Sequence, residues 1–204
     1  KIILCVPNTL IYPFKNKLKS KFISLGVQNC HYHQGNGPFT GSINSSMLKK
    51  AGAEYIILGH SENRSEGETN QLIKKKIISA LNQKLNIIYC IGETLKEKNK
   101  GKTFSILRKQ IKSSLEKKFN MNKIIFAYEP VWSIGTNKIP KMNELKNTIE
   151  FIKKDYMKNF KTGKSPKVLY GGSVNHKNIS LFSSISQIDG FLIGGASQSS
   201  RKFI

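Results

Sequence analysis

Two positions carry side chains that could move a proton, and Glu129 is the first. It directly follows the apolar run Ile124–Tyr128 and opens the segment Glu129-Pro130-Val131-Trp132. If the run is a buried strand, loss of water around the carboxylate raises its pKa, which suits a general base. The alternative is a buried glutamate paired with a lysine, with Trp132 as ordinary packing. The residue types alone favour neither interpretation.

His60 is the second position. It comes just after another apolar run, Tyr55–Leu58, and two residues before the carboxylate of Glu62. A histidine at the end of a buried strand can act as a general acid, a general base or an electrophile. A single histidine there is more often a structural residue, so its position does not by itself establish a catalytic role.

The residues after Glu129 have the composition of a lid. Val131, Trp132 and Ile134 are apolar in what should be a loop, and Gly135 supplies a permissive backbone position. An apolar loop beside a carboxylate indicates a segment that closes over a site and excludes water.

Two glycine pairs follow the last two apolar runs. They are Gly171-Gly172, followed by Ser173, and Gly194-Gly195. Glycine lets the backbone approach a ligand, and a helix N-terminus beyond it supplies N–H donors for an anion. Either pair alone is weak evidence because turns often contain such pairs. Two pairs after consecutive strands indicate a phosphate site. The dinucleotide pattern GxGxxG and the P-loop pattern are both absent from the sequence.

The elements that must position these residues alternate along the chain. Seven mostly apolar runs are separated by segments with helical spacing, such as 104–119 and 142–160. The runs are Ile2–Val6, Ile23–Gln28, Tyr55–Leu58, Asn86–Ile91, Ile124–Tyr128, Val168–Tyr170 and Gly190–Ile193. This pattern predicts an α/β fold with parallel strands joined by right-handed crossovers. Both an open doubly wound sheet and a (β/α) barrel satisfy it.

Composition limits the class of protein. The 204 residues are 38% hydrophobic and 23% charged, which is typical of a soluble globular domain. The formal net charge of +22 comes from 34 basic and 12 acidic residues. Lysine dominates over arginine, and the lysine runs hold no aromatic platform, so solvated faces are favoured over a nucleic-acid partner.

Three cysteines without a CxxC pattern indicate a reducing, cytoplasmic compartment. No apolar stretch reaches the length of a membrane span.

Several motifs together resemble those of the triosephosphate isomerase family. The motifs are Tyr128-Glu129-Pro130-Val131-Trp132-Ser133-Ile134-Gly135-Thr136, Gly59-His60-Ser61-Glu62, Tyr170-Gly171-Gly172-Ser173-Val174, Gly190-Phe191-Leu192-Ile193-Gly194-Gly195-Ala196-Ser197, Cys90-Ile91-Gly92-Glu93 and Gly26-Val27-Gln28-Asn29. They follow the family's order over essentially the whole chain. The resemblance implies a (β/α)8 TIM barrel, formed as a single domain by residues 1–204. It also implies interconversion of dihydroxyacetone phosphate and glyceraldehyde 3-phosphate, a step of glycolysis and gluconeogenesis.

The resemblance implies a role for each candidate residue. Glu129 is expected to be the base, and a neutral His60, supported by Glu62, is expected to polarise the carbonyl. The residues expected to bind the phosphate are Gly135, Gly194 and Gly195, through their N–H groups, together with Ser173. The residues expected to close over the base are Ile134 and Leu192. No metal or organic cofactor is implied, and the only small-molecule partner is a phosphorylated triose.

The family is usually dimeric, so we expect a homodimer when the barrel is complete. The matching loop is Gly37–Gly41, with Thr40 at its tip. Ser42 and Asn63 stand where the family usually has Glu and Arg. Ser133 stands where the family commonly has Ala.

Nothing in the sequence resembles the family's first strand, which carries an Asn-x-Lys motif. We therefore expect a barrel that lacks its first strand and helix, has seven βα units and ends within the last helix. Two alternatives to an active isomerase follow. One is a catalytically impaired relative with a phosphate-binding or structural role, and the other is a basic nucleic-acid-binding barrel motivated by the net charge.

Overall fold

The protein is described by a computed structural model that covers residues 1–161 and 163–203. Within these described residues, seven strands follow the order of the chain in a parallel sheet. They are β1 (Ile2–Val6), β2 (Ile23–Val27), β3 (Tyr55–Leu58), β4 (Asn86–Ile91), β5 (Ile124–Tyr128), β6 (Val168–Tyr170) and β7 (Gly190–Phe191). The predicted α/β fold with seven parallel strands is confirmed. Two of the predicted strands are too long. Strand β2 ends one residue before the predicted end, and β7 ends two residues before it.

The helices lie between the strands and after the last strand, as the alternating pattern predicts. They are α1 (Ile11–Lys17), α2 (Ser45–Lys50), α3 (Ser61–Ser65), α4 (Asn70–Asn82), α5 (Leu95–Asn99), α6 (Thr103–Ser114), α7 (Met142–Phe160), α8 (Ile179–Ser183) and α9 (Ser200–Phe203). Across the described residues, no helix combines the length and apolar character needed to cross a membrane.

The predicted helix over 104–119 is too long. It ends at Ser114, whose hydroxyl donates to the Asn70 carbonyl at 3.2 Å. Glu116 then pairs with Lys74 at 2.6 Å and with Lys118 at 2.8 Å. The apolar spacing continues beyond Ser114 because Leu115 is still a core residue, 4% exposed, although it lies outside the helix.

The chain divides into two compact units, Lys1–Tyr89 with Ser113–Ile124 and Cys90–Lys112 with Ile125–Ile204. In the first unit, β1 pairs with β2 from Ile2↔Ile23 to Val6↔Val27, and the ladder continues through β3 to β4. Its core is made of residues that are fully excluded from solvent, among them Val27, Ile56, Leu58, Ile73 and Ile77. Burial on both faces explains why these strands are continuously apolar.

In the second unit, β6 pairs with β5 on one side and with β7 on the other. Helix α7 covers this part of the sheet with a stripe of buried residues that includes Leu145, Ile149 and Ile152. Phe126 of β5 and Tyr156 of α7 meet edge to face, with ring centroids 5.5 Å apart. The carboxyl ends of β5, β6 and β7 carry most of the candidate functional residues.

Candidate active site

Glu129 lies directly after β5 and is 3% exposed. Its N–H donates to the Ile91 carbonyl at 2.8 Å, which continues the parallel ladder by one residue past the strand. A Cβ atom at Gly92 would lie 1.7 Å from the Glu129 carbonyl oxygen, so only glycine fits there. The backbone of Glu129 is therefore held between the ends of two neighbouring strands.

The Glu129 side chain stands over the first glycine of the segment after β6. A Cβ atom at Gly171 would lie 2.9 Å from Glu129 Cγ and 3.5 Å from Glu129 Oε1. The same atom would lie 3.5 Å from Leu192 Cβ, just after β7. The structure thus brings together a buried carboxylate, an apolar side chain and a glycine backbone that carries no side chain.

The segment after Glu129, which the sequence predicts to be a lid and which is called the lid below, begins with a 3-10 turn, Val131–Ser133. Trp132 Nε1 donates to Glu93 Oε1 at 3.0 Å, and Lys98 Nζ lies 4.0 Å from the centroid of the tryptophan ring. Lys98 also pairs with Glu144 of α7 at 2.9 Å. The Trp132 ring is therefore held by a hydrogen bond and by a cation–π contact.

Glu93 is the functional candidate that sequence reasoning missed. It is 1% exposed, and the Tyr128 hydroxyl donates to its two oxygens at 3.2 and 3.1 Å. Burial raises the pKa of the Glu93 carboxyl, while the bonds from Trp132, its own backbone and Tyr128 act in the opposite direction. Burial and the charge of Glu93 together raise the pKa of Tyr128 well above its ordinary value. Glu93 follows its strand within two residues, a signal in the sequence similar to the one that identified Glu129.

Ser133, the last residue of this 3-10 turn, connects the lid to the segment after β6. Ser133 Oγ donates to the Lys138 carbonyl at 2.6 Å and lies 3.3 Å from the Tyr170 hydroxyl. The Ser173 N–H donates to Ser133 Oγ at 3.3 Å, and the Ser173 hydroxyl donates to the Ser133 carbonyl at 2.5 Å. Ser173 is thereby tied to the lid at two points.

The remaining lid and glycine residues lie on open surface. Gly135 is exposed with a φ of +67°, a conformation that favours glycine, and it follows the half-buried Ile134. Gly194 and Gly195 are exposed just after β7, where the chain forms the 3-10 turn Gly195–Gln198. Apart from its immediate chain neighbours, no atom of the described chain comes within 4 Å of a Cβ built at either residue, so a ligand can approach the backbone there.

His60 belongs to the first unit, where it caps α3. Its Nδ1 accepts from the Glu62 N–H at 3.4 Å and lies 3.7 Å from Glu62 Oε2. Because Nδ1 accepts from a backbone amide, the neutral ring carries its proton on Nε2. Burial lowers the pKa of His60, against the opposing effect of the Glu62 charge. Arg64 Nε donates to the Gly59 carbonyl at 2.7 Å and holds the residue that precedes the histidine.

The loop that contains Thr40 is also part of the first unit, and Thr40 is exposed. Beside it, the Phe39 ring packs on His33, with centroids 3.9 Å apart, and on His31 at 5.1 Å. Asn44 Nδ2 donates to the Gly35 carbonyl at 2.9 Å at the other end of the loop. The loop therefore has a fixed base and an accessible tip.

A sequence model of triosephosphate isomerase matches residues 1–204, the whole length of the chain. The chain belongs to the triosephosphate isomerase family. It is accordingly an isomerase, and the prediction made from its motifs is confirmed.

Individual relatives agree with the family match. A triosephosphate isomerase of Alkaliphilus metalliredigens is 39% identical over 209 residues, covering 100% of this chain and 84% of the relative. One from Dictyoglomus thermophilum is 42% identical over 208 residues, covering 100% of this chain and 83% of the relative. The crystal structure of triosephosphate isomerase from Bartonella henselae superposes with a TM-score of 0.89 at 35% identity, covering 98% of this chain and 82% of that structure.

Proposed function

We propose that the chain interconverts dihydroxyacetone phosphate and D-glyceraldehyde 3-phosphate, with Glu129 as the base. The observation that carries the proposal is the Glu129 carboxylate, which is buried after β5 yet stands over the bare backbone of Gly171. Burial strengthens a carboxylate as a base, and glycine at position 171 leaves that side of the carboxylate without a side chain. The likeness to the Bartonella henselae structure supports a (β/α)8 barrel as the scaffold.

In the proposed reaction, Glu129 removes a proton from the substrate carbon next to the carbonyl. The electron pair of that C–H bond forms the double bond of an enediol, and negative charge moves to the carbonyl oxygen. The Nε2–H of neutral His60 donates to that oxygen, a division of roles for which this enzyme family is the standard example. Glu129 then returns the proton to the neighbouring carbon. His60 carries the proton of the substrate hydroxyl to the former carbonyl oxygen, so the isomerisation balances without an outside reactant.

The phosphate is proposed to bind to the N–H groups of Gly135, Gly194 and Gly195 together with Ser173. Ile134 of the lid and Leu192 are proposed to cover Glu129. Exclusion of water matters for the identity of the product as well as for the rate, because an enediol phosphate in water readily loses phosphate.

Glu129→Gln tests the proposal because it keeps the shape of the side chain and removes its basicity. We expect turnover in a coupled isomerase assay to fall about 10²–10⁴-fold, the usual contribution of a general base. The control is Glu150→Gln, which removes a carboxylate that pairs with Lys154 at 3.5 Å on α7. Undiminished turnover in the Glu129 variant would refute the assignment. Phosphate binding without turnover in the parent chain would instead favour the impaired relative.

We also propose a cytoplasmic homodimer in which the Thr40 loop reaches the partner subunit. The exposed Thr40 on a fixed loop base supports the dimer. The odd count of three cysteines without a CxxC pattern supports the cytoplasmic compartment. Light scattering at several protein concentrations tests the dimer, and a monomer at all of them would contradict it.

A further inference from the structure

The hydroxyl of Ser133 is fully buried at the point where the lid begins. A serine hydroxyl has one proton and two acceptor sites. Ser133 Oγ gives its proton to the Lys138 carbonyl at 2.6 Å, which ties the two ends of the segment 134–137 together. The acceptor sites remain for the Ser173 N–H at 3.3 Å and the Tyr170 hydroxyl at 3.3 Å. One buried oxygen thus connects the lid to the segment that follows β6.

The backbone opposite this oxygen is shaped to admit these contacts. A Cβ atom at Gly172 would lie 2.2 Å from the Tyr170 hydroxyl oxygen and 2.7 Å from Ser133 Oγ. Glycine at this position therefore lets Ser133 and Tyr170 meet directly above the backbone. Burial raises the pKa of Tyr170, so its hydroxyl stays protonated and can act as the donor to Ser133.

Ser173 has two donors, and both are directed at Ser133. The N–H points to the side-chain oxygen, and the hydroxyl points to the carbonyl at 2.5 Å. These are the same donors that the proposed function assigns to the substrate phosphate. If a phosphate oxygen accepts the hydrogen bond from the Ser173 N–H, the Ser133 hydroxyl oxygen loses that hydrogen bond.

We propose that the Ser133 hydroxyl is a latch that competes with the substrate phosphate for the Ser173 N–H. A charged phosphate oxygen is the stronger acceptor and wins this exchange, since charge-assisted hydrogen bonds exceed neutral ones. Binding of phosphate then releases one of the contacts between the lid and Ser173. The latch rests on the proposed function and adds a positioning residue that couples phosphate binding to the lid. Alanine, which the family commonly has here, lacks the acceptor.

Ser133→Ala tests the latch, with inorganic phosphate as the probe in calorimetry. One neutral hydrogen bond of net strength about 0.5–1.5 kcal/mol corresponds to a Kd for phosphate about 2–10-fold lower in the variant. KM for the triose phosphate should fall by a similar factor, with a smaller change in kcat. The amide proton of Ser173 should exchange with solvent faster in the variant, a change that a general loss of stability would not confine to one residue.

Thr136→Val is the matched control. The Thr136 hydroxyl also holds the lid, through contacts to the Trp132 carbonyl at 2.9 Å and the Ser133 carbonyl at 3.2 Å. Valine keeps its shape, and we expect neither tighter phosphate binding nor faster exchange at Ser173. An unchanged or higher Kd for phosphate in folded Ser133→Ala overturns the latch. A parent chain that binds phosphate but does not isomerise triose phosphate overturns the proposed function, and the phosphate Kd and the amide exchange still decide the latch.

Discussion

Gly171→Ala moves the proposed base without changing its chemistry. The φ of Gly171 lies outside the left-handed region, so the backbone accepts alanine. The new Cβ would lie 2.9 Å from Glu129 Cγ, whereas carbon atoms in favourable contact are at least about 3.5 Å apart. The glutamate side chain must therefore move by about 0.6 Å or more, the difference between these two distances.

The expected cost follows from the demands of proton transfer. A misplacement of about 1 Å in a reacting group can lower the rate about 10²-fold, equivalent to about 2.7 kcal/mol in the activation free energy. The carboxylate lies beyond Cγ, so a pivot there moves its oxygens further than the contact itself. We expect kcat of Gly171→Ala to fall about 30- to 100-fold in the coupled isomerase assay.

The control is Gly163→Ala, because a Cβ at Gly163 meets no atom within 4 Å in the described part of the chain. We expect this variant to keep the parent's kcat and thermal unfolding midpoint. A folded Gly171→Ala enzyme with kcat within about twofold of the parent would show that Glu129 is not the base or does not depend on this contact. Loss of phosphate binding along with kcat would instead place the damage in the segment after β6.

Three further predictions concern the titratable groups. Glu129→Asp should lower kcat at least about 10²-fold with little change in KM, because the shorter side chain moves the carboxylate away from the substrate and keeps its charge. Equal effects on kcat and KM would count against Glu129 as the base. His60 should titrate below 6.5 in NMR, because burial lowers its pKa. Its contribution to stability should be complete above 6.5 and be lost as the pH falls from there through the lowered pKa; an NMR midpoint at or above 6.5 would contradict this. The fluorescence of Trp132, the single tryptophan, should titrate with a midpoint above 4.5, because burial raises the pKa of Glu93, and Glu93→Gln should remove that transition. The stability contributed by protonated Glu93 should be complete below 4.5 and be lost as the pH rises through the raised pKa.

The strands were predictable because their signal is local. Each one is a short continuous apolar run, and burial on both faces requires nothing more of the sequence. The helix over 104–119 was predicted too long because Leu115 keeps the apolar spacing. That helix ends at Ser114, whose hydroxyl donates to the Asn70 carbonyl, a tertiary contact that the apolar spacing does not encode. The short helix α1 was missed because seven residues carry too little periodic signal.

Some residues of the candidate site were also predictable from local sequence, and others were not. Glu129 and His60 were identified from the sequence because each is a chemically capable side chain close to the end of an apolar run. Glu93 was passed over although it follows its strand within two residues, because only the fold shows that Tyr128 and Trp132 converge on it. The pKa shift of Glu93 depends on its burial and on these two donors, and the local sequence around Glu93 reveals neither.

The sequence by itself determined the type and order of the elements, the residues at the strand ends and membership of the family. Only the tertiary structure decided which of these residues touch. Gly171 limits the position of Glu129, and Ser173 gives its donors to Ser133 over a separation of 40 residues. Periodicity reports which face of an element is buried. The distance between two loops depends on how their strands pair, and that is decided when the sheet forms.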